Sequence, residues 1–105
     1  MKPLNTMKFV AEIAEKMAEY KASIKAAEDY DKAKRIGTMA LGYVDCTITF
    51  LNTMICEANN DFTAEFDEVI EDWKKGIYQA VIDKAIETKQ DSDTVWKLLK
   101  LRDET

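Results

Sequence analysis

Four carboxylates, Asp61, Glu65, Glu68 and Asp72, follow one another at steps of three and four residues. That spacing sets them along one face of a helix, with Phe62, Phe66, Val69 and Trp73 on another. They lie in a charge void: from Ile36 through Trp73 there is no lysine or arginine, while Asp45, Glu57, Asp61, Glu65, Asp67, Glu68, Glu71 and Asp72 are all acidic. The chemistry available to such a row is electrostatic. It steers a basic surface toward itself and sets the register of docking. Helix physics alone also tolerates it, because acids in the first half of a helix complement its dipole, and Lys74, Lys75, Lys84 and Lys89 occupy the other half.

Bond-breaking chemistry has less to work with. The 105 residues include 20 acids and 15 bases, a formal net charge of −5, and no histidine. Without histidine there is no Ser-His or Cys-His nucleophile pair and no mixed His/Cys zinc site. Two cysteines cannot close a zinc or iron–sulfur site, and Gly37, Gly42 and Gly76 are too scattered for a phosphate-binding or dinucleotide loop. Neither a cofactor nor a metal is expected, and the chain reads as a non-enzyme.

One enzyme pattern survives these exclusions. Glu12-Ile13-Ala14-Glu15 and Glu28-Asp29-Tyr30-Asp31 together resemble the motif pair of the all-α nucleotide pyrophosphohydrolases. That family holds magnesium with Glu-x-x-Glu on one helix and Glu-x-x-Asp on its antiparallel neighbour. The resemblance covers two four-residue words and implies, as the alternative function, a magnesium-dependent nucleotide hydrolase. A first helix unbroken to Ala27 would set Glu12 and Glu28 about 24 Å apart along one axis. A second word centred on Asp45 would meet Gly42 where a ligand is needed.

The elements that must position these groups are helical. With 47% hydrophobic and 33% charged residues, the composition is that of one globular domain spanning 1–105. Val10, Ile13, Met17, Tyr20, Ile24 and Ala27 keep the spacing of an amphipathic helix over about 6–28. Asp29 or Asp31 caps a second, over about 31–58, whose stripe Ala33, Gly37, Leu41, Val44, Ile48, Leu51 and Ile55 is widened by Ile36, Ala40, Phe50 and Met54. The β-branched run 44–50 would also suit a strand, but no partner strand is apparent. A third helix is expected over about 62–89, with Gly76 inside it. Gln90-Asp91-Ser92-Asp93 then turns and caps a short fourth helix over about 92–102. The expected class is all-α: an antiparallel three-helix bundle with a short fourth C-terminal helix.

Thr38, Gly42, Asp45, Thr49, Asn52 and Cys56 form a narrow polar strip on the second helix. The strip either faces water or forms a buried polar network, in which Asp45, Thr49 and Asn52 are the members and Asp45 accepts from Thr49 or from a neighbouring lysine or tyrosine. Ile36 to Cys56 carries one charge, Asp45, yet that residue costs roughly 2.5–3.5 kcal/mol on insertion scales, which argues against a membrane span. Cys46 and Cys56 would lie about 15 Å apart along one helix, beyond disulfide reach. The amino-terminal residues show no signal-peptide pattern, and the expectation is a reducing cytoplasm with two small buried thiols. The basic clusters are small and the total charge repels phosphate, so neither nucleic acid nor membrane is an expected partner. The functional expectation is a small acidic helical protein that binds a basic protein partner through Asp61, Glu65, Glu68 and Asp72. By size and charge alone it is similar to bacteriocin immunity and anti-defence inhibitors. A structural homodimer through leftover apolar surface on the first or second helix is a further alternative.

Overall fold

The computed structural model describes residues 6–55 and 66–105, and every regular element among them is helical. The helices are α1 (Thr6–Ala26), α2 (Tyr30–Ile55), α3 (Asp67–Glu87) and α4 (Ser92–Glu104). The stretch 44–50 is helix within α2. No described helix is long and apolar enough to cross a membrane.

Local chemistry sets the ends. α1 stops two residues earlier than its apolar period suggests, where the amide of Ala27 closes a tighter bond to the carbonyl of Ile24 at 3.2 Å. Asp29 caps α2, its carboxylate accepting from the amide of Lys32 at 2.8 Å. At the end of α3 the amide of Gln90 donates to the carbonyl of Ala85 (2.9 Å) and that of Lys89 to Ile86 (3.1 Å). This is a Schellman motif, in which Lys89 takes the left-handed conformation (φ 58°) that glycine usually fills. Asp91 caps α4 by accepting from the amide of Thr94 at 2.9 Å. The Thr94 hydroxyl and then its amide hold the Asp91 carboxyl below its ordinary range.

α1, α2 and α3 each pack against the other two, and α4 packs on α3. The apolar stripes meet in one core in which Ile13, Met17, Ile24, Val44, Leu51, Ile77 and Ile82 are fully buried. Each such side chain contributes about 1.5–3 kcal/mol. Tyr20 and Tyr43 join α1 to α2, their rings 5.9 Å apart and tilted. Gly37 lets α2 approach α3 closely, since a Cβ there would meet Cγ2 of Val81 at 2.7 Å. The chain is elongated, 53 × 24 × 16 Å, with a radius of gyration of 15.4 Å against about 13 Å for a compact chain of this length.

Two side chains depart from expectation. Phe50 is 58% exposed and does not widen the core stripe of α2. At about 100° per residue it lies roughly 120° round the helix from the buried line Val44, Ile48 and Leu51. Cys46 is an exposed free thiol, not a buried one, for the same angular reason. Cys56 lies outside the described residues.

Candidate functional site

The amino-terminal half of α3 carries the described part of the carboxylate row. Ile70, Trp73 and Ile77 turn into the core, which fixes the rotation of the helix and leaves Asp67, Glu68 and Asp72 exposed. Asp61 and Glu65 lie outside the described residues, as does Phe62. Trp73 is buried at 8% exposure and is unavailable to a partner; among the described residues the exposed aromatics are Phe50 and Trp96.

The lysines that follow the charge void decide the electrostatics of this face. Lys74 reaches across to α2 and pairs with Asp45 at 2.8 Å, and Lys75 pairs with Glu71 one turn back at 2.9 Å. Both cations that follow the row in sequence are therefore engaged by other carboxylates, while the ammonium of Lys21 in α1 lies at Gly76, one turn beyond Asp72. Asp67, Glu68 and Asp72 form no ion pair with any described residue. Glu68 and Asp72 are also i,i+4 neighbours of like charge, a mildly unfavourable arrangement that a cationic partner would relieve.

Of the polar strip on α2, Thr38, Gly42, Asp45 and Thr49 are exposed, so Asp45 and Thr49 are surface groups; the Asn52 side chain and Cys56 lie outside the described residues. Asp45 does take a lysine from a neighbouring helix, but as a surface pair. The Thr49 hydroxyl donates to the backbone carbonyl of Asp45 at 2.9 Å, not to its carboxylate. The residue positions explain this: with Val44, Ile48 and Leu51 buried, Asp45 and Thr49 must turn outward.

No match to a known family is found. No protein-family model matches the chain, and no curated protein or solved structure is detectably similar to it. The hydrolase-like words are placed accordingly by geometry alone. Glu12 and Glu15 are exposed on α1, which runs on unbroken to Ala26, about 21 Å along the axis beyond Glu12. Glu28 and Asp31 lie in the connection and the first turn of α2, and among the described residues no three acidic or thiol groups converge to hold a metal ion.

An apolar groove of about 190 Å³ runs between α2, α3 and α4, floored by Gly37, Leu41, Ile77, Val81 and Leu98. It is smaller than the roughly 300–1,000 Å³ usual for small-molecule sites, and only Lys34, Thr38 and Tyr78 bring polar groups to it.

Lys84 is the residue that reading the sequence misses. It is 5% exposed, and its ammonium donates to the carbonyl of Lys25 at 2.8 Å and of Ala27 at 3.0 Å, and pairs with Glu87 at 3.2 Å. Three donors meet three acceptors, and two of these are carbonyls left over at the end of α1. In the sequence it is one lysine among several in the second half of a helix. Its one local signal is Glu87 three residues on.

Proposed function

We propose that this chain is a non-enzymatic binding protein that docks a basic surface of a partner protein onto the acidic face formed by Asp61, Glu65, Glu68 and Asp72. Its action is inhibitory, in the manner of immunity and anti-defence proteins, and cytoplasmic. The observation that carries this reading is the engagement of Lys74 and Lys75 by Asp45 and Glu71, which leaves Asp67, Glu68 and Asp72 unneutralised. A carboxylate face whose described members form no ion pair raises the local concentration of cations and accelerates encounter with a basic partner. The architecture we infer is an antiparallel three-helix core with α4 laid along α3. It is supported by the order of contacts, Gly37 against Val81 and Asp45 against Lys74, in which α2 numbers fall as α3 numbers rise.

Charge reversal tests the proposal. Glu68→Lys with Asp72→Lys, both at exposed positions, keeps the helical circular dichroism and abolishes retention of the partner from host extract at low salt. A partner retained equally by the doubly reversed chain would contradict the reading.

A further inference from the structure

α4 is held differently from the other three helices. α1, α2 and α3 each bury several side chains in the shared core, whereas α4 packs on α3 alone among the described helices and buries only Leu98. Val95 and Leu99 reach the core half-buried. On the free side of α4, Trp96 is 68% and Leu101 47% exposed. One polar clasp adds to the grip. Arg102 donates to the side-chain oxygen of Gln79 in α3, whose amide nitrogen donates in turn to the Asp83 carboxylate at 2.9 Å.

The link from α3 to α4 is short and strained. Residues 88–91 are all that separate the two helices, and within them Lys89 holds φ at 58°. Among the described residues it is the one non-glycine with a positive φ. A lysine Cβ is crowded in that region, where glycine would not be, so the closed hairpin carries a local cost that is released when the hinge opens.

Beneath α4 lies apolar surface. Gly37, Leu41, Ile77 and Val81 floor the groove between α2 and α3, and Leu98 and Leu101 are its α4 wall. Closed, its volume of about 190 Å³ is on the scale of the ~150 Å³ engineered cavity that holds benzene, room for a single ring. Moving α4 removes that wall. It leaves the other three helices in place, because each of them packs on the other two without it.

We propose that α4 is a hinged lid, which comes off α3 as one unit about Lys89 while α1, α2 and α3 stay folded, and which uncovers the groove floor. Few buried apolar contacts set an element at the low end of local stability, and the strained connection lowers it further. Once off α3, a helix of 13 residues is too short to persist in water, so its amides meet solvent whenever the lid opens.

Native-state hydrogen exchange of the full chain, read by NMR, tests this. The amides of Leu98, Leu99, Lys100, Leu101 and Arg102 exchange together, protected but roughly a hundredfold or more faster than the slowest amides of α2 and α3. Their rates also respond less to low urea, since a lid exposes less surface than whole-chain unfolding. Lys89→Gly slows α4 exchange roughly fivefold, the effect of relieving one left-handed residue. Gln79→Ala, which removes the acceptor of the clasp, speeds it roughly two- to tenfold. α4 amides as slow as the core's would overturn the inference, because the helix would then open only with the whole domain. Unprotected α4 amides would overturn it equally, because no closed state would exist. So would α4 rates unchanged by Lys89→Gly, which would show that the hinge keeps its shape when the helix opens.

Discussion

Replacing Lys84 with methionine removes the one buried ammonium among the described residues while keeping most of the stem volume. The carbonyls of Lys25 and Ala27 lose their donor, and the bond to Ala27 is the buried one of the two. A buried acceptor left unsatisfied costs about 1–3 kcal/mol, and hydrogen bonds to a charged group contribute about 1.5–3 kcal/mol each. Against this, methionine no longer carries a desolvated charge, which returns part of the loss. The net expectation is a destabilisation of about 3 kcal/mol, a large share of the roughly 5–15 kcal/mol typical of such a domain. The melting temperature then falls by roughly 12–24 °C. Glu87→Gln is the control: its side chain is 68% exposed, solvent screens the pair, and the loss is about 0.5 kcal/mol or less. Urea titration followed at 222 nm reads both variants through the midpoint at unchanged slope. If Lys84→Met costs no more than Glu87→Gln, the two carbonyl bonds contribute nothing and the capping argument fails.

Three further outcomes follow from local geometry. Alanine at the three glycines separates them: Gly42→Ala raises stability by about 0.5–1 kcal/mol, Gly76→Ala gains similarly because only the flexible end of Lys21 must move, and Gly37→Ala lowers it by forcing α2 off Val81. Thermal melts of the three variants check the signs. Lys89→Gly relieves the left-handed residue at the end of α3 and stabilises by about 1 kcal/mol, measured by the shift in urea midpoint. The Asp91 carboxyl is held below its ordinary range in the folded state, so its contribution is present above the unfolded value and lost as pH falls through the folded one. Acid titration of helicity below about pH 4 shows less loss for Asp91→Ala than for the parent chain, whereas identical titrations would show that the cap is idle.

The helices were legible because burial enforces period: Ile13, Met17 and Ile24 in α1, and Val44, Ile48 and Leu51 in α2, recur at helical spacing and are buried. The caps were legible to within a residue or two, Asp29 as one of two candidates with Asp31 and Asp91 within the run 90–93, because capping is local chemistry, settled within three residues. Lys84 was not, because its partners in α1 lie nearly sixty residues earlier and become neighbours only once α1 and α3 pack. Phe50 misled for a related reason. An apolar residue beside a core stripe reads as core until the rotation of the helix is fixed by what packs on it. For the acidic row, the charges were visible in the sequence, but not that Lys74 and Lys75 would be drawn to Asp45 and Glu71.

The salt dependence of partner association measures the central claim most directly. With the retained partner purified, its association rate with the parent chain should fall steeply as salt rises. At low salt it should exceed that of the Glu68→Lys, Asp72→Lys chain by roughly ten- to a thousandfold. Rates that ignore salt and are equal for the two chains would contradict the account, because the α3 carboxylates would then have no part in recognition.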